Sequence, residues 1–171
     1  MEDELLLLGL LSGSAMHGYQ LNEIIEQRLP MLSKLKPSTA YSALDRLAAQ
    51  GLAEATVERV GRRPERKVYG LTPAGRERFL DLLRENLRSA DLPAYAGDRG
   101  LLFHRALPAN EVLALLAERR EATLARAPRL RRLLESHPPR SAAALVAGHA
   151  LALIDAEVTW LDGILGEGLD A

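Results

Sequence analysis

A chain of 171 residues is long enough for one mid-sized domain or two small ones and too short for multidomain machinery. Its 47% hydrophobic and 26% charged residues set it among globular chains, and the absence of cysteine excludes disulfide frameworks, thiolate metal sites and cysteine nucleophiles. The formal net charge of -1 hides an uneven distribution: Met1 to Ser33 carries five acids against Arg28 alone, whereas Lys34 to Lys67 carries eight bases against four acids. A local excess of this kind is either a solvated face or the electrostatic footprint of a phosphate-binding surface.

The longest apolar run, Leu5 to Leu11 interrupted by Gly9, falls short of the roughly 18 residues of a membrane span, and Glu2, Asp3 and Glu4 precede it in place of a basic signal-peptide start. The expectation is a cytoplasmic chain with no membrane contact. Uniformly apolar, Leu5 to Leu11 predicts a short helix buried on more than one side, with Leu5 and Leu8 offered to another subunit or to the far end of the chain. After Ser12-Gly13-Ser14, a second helix from Gly18 to Leu29 places Leu21, Ile24, Ile25 and Leu29 at helical spacing, and Pro30 closes it.

A third helix starts at Pro37, where no amide hydrogen is required, and stops at Gly51. Ala40, Ala43, Leu44, Leu47 and Ala48 share one side; Ser38, Tyr41, Ser42 and Asp45 share the other, leaving a hydroxyl-rich face outward. Two β-prone runs follow, Leu52 to Glu58 and Arg66 to Leu71, separated by Arg59 to Glu65 with its Gly61 and Pro64: a hairpin with a basic tip. Thr72 as N-cap and Pro73 at the first helical position open a helix through Leu80, Leu83 and Leu87 to about Arg88.

Ser89 to Gly100 has no period and marks a boundary. Beyond it, Pro108-Ala109-Asn110 introduces a helix carrying Val112, Leu113 and Leu116 as far as Ala127, which Pro128 kinks or restarts. A last helix, Ser141 to Leu165, bears two apolar stripes. Leu151, Ile154, Val158, Leu161 and Leu165 form one; Val146, His149, Leu153, Ala156, Trp160 and Ile164 form the other. A helix apolar around most of its girth in so small a chain takes its second cover from a partner subunit, which predicts a homodimer with Leu151, Ile154, Val158 and Leu161 in the interface.

Three helices, a two-stranded hairpin and a fourth helix follow the order of a winged helix-turn-helix, whose third helix enters the major groove while the hairpin tip reaches neighbouring phosphates or the minor groove. Lys36, Ser38, Thr39, Tyr41, Ser42, Arg62, Arg63, Arg66 and Lys67 are the candidate DNA contacts. Hydroxyls and first-turn amides suit phosphate oxygens and base edges, and guanidinium or ammonium groups suit phosphates. Of Arg66 and Lys67, adjacent on one strand, only one is expected to face DNA. Asp45 and Arg46 are read as an intramolecular ion pair. The scattered His17, His104, His137 and His149 show no metal-ligand or acid–base spacing, so neither metal nor cofactor is expected, and no nucleophile motif suggests an enzyme. His17 is read as structural.

Leu8-Gly9-Leu10-Leu11, then Met16-His17-Gly18-Tyr19-Gln20-Leu21, Pro37 through Leu47 with Gln50-Gly51-Leu52, and Gly61-Arg62-Arg63-Pro64 through Lys67-Val68-Tyr69-Gly70-Leu71-Thr72-Pro73-Ala74-Gly75 resemble the successive signatures of the PadR family of bacterial transcriptional regulators. The resemblance spans roughly Leu5 to Leu83. Ser38 stands where the family usually has Gly, and Ala40 where it often has a large aliphatic residue, departures that bear on base preference and helix docking. The run from Gly148 to Leu161 is similar to the last helix of the family's longer subgroup.

The resemblance implies a mostly α fold with a small β-hairpin wing. A winged helix-turn-helix DNA-binding domain over 1–90 would precede a helical domain over 91–171 for dimerisation and effector binding. It further implies a dimeric repressor on a palindromic operator in double-stranded DNA, released by a small aromatic or drug-like effector. Tyr95, Phe103, His149 and Trp160 are the candidate effector pocket, with dimer core as the competing role for Phe103 and Trp160. A winged-helix interaction or ligand-sequestering module that never reads DNA is the alternative from another class.

Overall fold

The computed structural model describes residues 2–28, 35–59, 66–90, 95 and 97–169. The chain divides into two compact units, Met1–Leu92 and Pro93–Ala171.

In the first unit, α1 (Glu2–Gly13), β1 (Met16–His17), α2 (Gly18–Arg28), α3 (Pro37–Ala49), β2 (Ala53–Glu58), β3 (Arg66–Leu71) and α4 (Pro73–Arg88) follow in order. The hairpin is antiparallel, pairing Ala53 with Leu71 and Glu58 with Arg66, and β1 adds to the far side of β3 through Met16 and Tyr69, giving the order β1-β3-β2. The two-residue β1 lies between α1 and α2, where the sequence predicted no strand. Leu7, Leu8, Leu11, Leu21, Ile25, Ala43, Leu44, Leu47, Tyr69 and Leu82 form the core. Leu8 is fully buried within this core and Leu5 packs against it, partly buried, where α1 meets α3, β3 and α4.

Local chemistry fixes the helix ends. Gln20 Oε1 accepts the His17 backbone N–H at 2.9 Å, one half of a capping box at the start of α2. Gly51, at φ 73°, ends α3: its N–H donates to the Ala48 carbonyl and that of Leu52 to the Leu47 carbonyl, the paired bonds of a Schellman motif. Thr72 caps α4 by accepting the Gly75 N–H at 3.0 Å, and its hydroxyl donates to the Gly51 carbonyl at 2.7 Å. The end of α3, the start of β2 and the start of α4 thus meet at one joint.

Glu4 and Arg78 tie α1 to α4 at 2.9 Å, and this bond holds the Glu4 carboxyl below its ordinary range. A depressed carboxylate pKa stabilises the fold fully above the unfolded value of about 4.3 and stops doing so as pH falls through the lower folded value. Glu4→Gln is therefore expected to melt below the wild type at pH 7 and to converge with it as pH falls through the lowered folded value. A gap that stays constant in melts across that range would contradict the assignment.

The second unit holds α5 (Asp98–Leu102), a 3-10 turn (His104–Ala106), α6 (Ala109–Leu124), α7 (Ala127–Glu135) and α8 (Ala142–Glu167). The short α5 begins inside the stretch expected to lack structure. Pro128 lies in the first turn of α7, so it restarts the helix. Ser141 caps α8.

Of the two stripes on α8, the first faces α6 and α7 within the same unit. Ile154 packs with Ala127, Leu130 and Ala147, with Leu151 and Val158 against them, and Leu161 packs with Val112 and Leu116. Of the residues expected in an interface, Ile154 and Leu161 are thus buried within this unit, and Leu151 and Val158 are partly buried. Arg119 pairs with Glu157 and Arg120 with Asp162, and these pairs from α6 orient α8 with that stripe inward. The second stripe is the open one, Val146, Leu153 and Trp160 each being about two-fifths exposed.

Among the described residues α8 is the one helix long and apolar enough to cross a membrane, a property that the run Leu5–Leu11 does not reveal. It packs on α6 and α7 through one stripe and carries two ion pairs to α6, while most of its apolar length is not buried within the unit.

Candidate nucleic-acid interface

The apolar face of α3 docks as its sequence dictates, with Ala40, Ala43, Leu44 and Leu47 buried, and Ser38, Thr39, Tyr41, Ser42 and Asp45 are left exposed. Lys36 is the N-cap and, among the described residues, no side-chain hydrogen bond caps the positive end of the helix beside these hydroxyls. Thr39, two residues after Pro37, is exposed in the first turn. Ser42 Oγ donates to the Ser38 carbonyl at 3.0 Å, a local bond that an incoming acceptor can replace. Tyr41 lies over Gly18: a Cβ there would sit 2.3 Å from its ring, so glycine at the start of α2 is what allows the ring to lie flat.

Asp45 does not pair with Arg46. Neighbouring helix positions point about 100° apart, and Asp45 Oδ1 instead accepts from Lys67 Nζ at 2.8 Å and from the Tyr69 hydroxyl at 2.9 Å. Lys67, and then Tyr69, hold the Asp45 carboxyl below its usual range. Burial, and then Asp45, push the Tyr69 hydroxyl up to about 12, so Tyr69 stays a donor at any physiological pH. This network fastens the exposed face of α3 to the central strand and compensates the charge of Lys67.

Arg66 has a different setting. Its guanidinium lies 5.5 Å from the centroid of the Tyr19 ring, and Tyr19 stacks on His17 at 5.2 Å with 16° between planes. His17 Nε2 is 3.9 Å from Glu58, and its Nδ1 is buried with no hydrogen-bond partner. His17, Gly18, Tyr19, Tyr41, Asp45, Arg66, Lys67 and Tyr69 line an open groove of about 550 Å³. The structure thus gathers Tyr41, Arg66 and Lys67 at one groove and adds His17 and Tyr19, which sequence reasoning left aside. Their signal was present as an aromatic pair two residues apart in the signature Met16 to Leu21. Arg62 and Arg63 lie outside the described residues.

In the second unit, Tyr95, Phe103, His149 and Trp160 are all exposed, Phe103 by 70%. Trp160 lies under the Arg119 guanidinium, 5.8 Å from it. Tyr95 precedes α5, Phe103 follows it, and His149 lies on α8 with Trp160.

Residues 7–81 match the family model of the transcriptional regulator PadR-like family. The chain is 27% identical over 172 residues to the negative transcriptional regulator PadR of Bacillus subtilis (strain 168), covering 93% of each chain. It is similar to the crystal structure of Bacillus subtilis PadR in complex with operator DNA, with a TM-score of 0.77 and 24% identity over 96% of this chain and 97% of that one. The structure of Bacillus subtilis PadR in complex with p-coumaric acid gives a TM-score of 0.73 and 25% identity over 96% and 93%. Signature, fold and full-length similarity agree: residues 7–81 match the transcriptional regulator PadR-like family, and the chain is similar to a PadR regulator along most of its length.

Proposed function

We propose that this protein is a cytoplasmic transcriptional repressor that binds a two-fold operator as a homodimer and is released by a small aromatic acid, with no enzymatic activity of its own. The observation that carries the reading is the exposed hydroxyl-rich face of α3 beside the groove that holds Arg66. A module that only binds protein or sequesters ligand has no use for such a face next to a basic strand. The domain roles follow, residues 1–90 reading DNA and 91–171 dimerising and binding effector. Lys36, Ser38, Thr39, Tyr41 and Ser42 would contact bases and phosphates, and Arg62 and Arg63 phosphates beyond them.

Support for the effector comes from the relative's complex with p-coumaric acid and from the exposed aromatic groups of the second unit. Footprinting on the protein's own upstream region tests both halves. Two protected half-sites about one helical turn apart are expected, cleared by p-coumaric acid. Uniform or absent protection contradicts the operator, and protection that survives the acid contradicts the effector.

For the dimer, the open stripe of α8 supplies the apolar face. Leu153→Glu is expected to convert dimer to monomer in light scattering at micromolar concentration, whereas Leu115→Glu, at an exposed site on α6, should leave the dimer intact. A dimer that persists with Leu153→Glu would remove this stripe from the interface.

A further inference from the structure

The groove at the base of the wing contains two cations in unlike settings. Lys67 is matched by Asp45 at 2.8 Å, and Asp45 also receives the Tyr69 hydroxyl. Among the described residues Arg66 has no carboxylate partner; it rests on the face of Tyr19, and Tyr19 rests on His17. An arginine on an aromatic face keeps its edge donors directed outward while its plane is held, which lowers the ordering cost of a phosphate contact. The stack also joins three elements. His17 belongs to β1, Tyr19 to the first turn of α2, and Arg66 is the first residue of β3.

We propose that His17, Tyr19 and Arg66 form one stacked clamp for a DNA backbone phosphate, with Arg66 making the contact and Tyr19 and His17 as positioning residues. Resting on the DNA-binding reading, this decides between the two neighbouring cations: Arg66 supplies the contact and Lys67 braces α3. The groove beside the clamp accommodates the sugar–phosphate chain as it passes from the α3 hydroxyls toward the wing.

The test measures operator affinity against salt by fluorescence anisotropy. Each lost phosphate contact lowers the slope of log affinity on log salt by about 0.9 and costs about tenfold at 0.1 M salt. Tyr19→Ala and Arg66→Ala should each do this, their double variant no more than either alone. Tyr19→Phe, which keeps the ring, should bind as the wild type does. Arg66→Lys keeps the charge without the guanidinium over the ring and should fall between. Lys67→Ala should lower thermal stability and leave the slope unchanged.

Wild-type affinity and slope in Tyr19→Ala, or additive losses in the double variant, would overturn the clamp while leaving the DNA reading intact. A wild-type protein with no salt-sensitive operator binding would overturn both.

Discussion

Replacing Gly75 with alanine is expected to destabilise the first unit by about 3 kcal/mol and to lower its melting temperature by about 15 °C. The added Cβ would come 1.8 Å from the Leu52 carbonyl oxygen and 2.9 Å from the Leu71 side chain. A backbone carbonyl does not swing away as the end of a side chain does, and this one also accepts the Thr72 N–H at 3.3 Å. Relief requires α4 to withdraw from the start of β2, which opens the joint fixed by Thr72 and by the Gly51 cap. Leu82 lies on α4 in the core, so a shifted helix also loses apolar contacts. Gly13, whose Cβ would meet nothing within 4 Å, is the control: Gly13→Ala should melt within a degree or two of the wild type. A Gly75→Ala protein that melts with that control would contradict the joint as described.

The second large effect concerns the wing tip. Replacing Arg62 and Arg63 together with alanine should weaken operator binding on the order of 50-fold at 0.1 M salt, because two phosphate contacts account for nearly two units of salt slope. The loss should extend to unrelated duplexes, since phosphate contacts carry no sequence information. Substituting Ser38 or Ser42 should instead narrow the difference between the operator and a shuffled duplex. Thermal stability should be unchanged in the tip variant. An unaltered slope would remove the tip from the mechanism and leave the contact at the wing to Arg66.

Much of the first unit is legible in its sequence because its signals are local. Pro37 and Gly51 bracket α3, Thr72 and Pro73 open α4, and the period of Ala40, Ala43, Leu44 and Leu47 defines which face of α3 is buried. What escaped was set by contacts distant in sequence. Two residues are too few to show a strand period, so β1 emerges only from its pairing with β3. The partner of Asp45 lies 22 residues away on that same strand, and i,i+1 reasoning led to Arg46 instead. In α8 both stripes are legible and their assignment is not. Apolarity is alike on the two, and Arg119 and Arg120, reaching Glu157 and Asp162 from another helix, decide which turns inward. The leucines of α1 show the same limit: their uniform apolarity implies burial all round and does not name what covers them.

The groove was half visible. Tyr41, Arg66 and Lys67 were identified from charge and helix face, but the stack of Arg66 on Tyr19 and His17 depends on β1 lying beside β3, which no local pattern encodes.

The most direct test of the central claim, that the exposed face of α3 with its basic wing reads DNA, is fluorescence anisotropy of the full chain at two salt concentrations. A duplex from its own upstream region is compared with a shuffled duplex of the same composition. Tight binding to the first, weaker binding to the second and loss of both at high salt is the predicted result. No binding to either duplex at low salt would contradict it and favour a winged-helix module that serves protein or ligand instead.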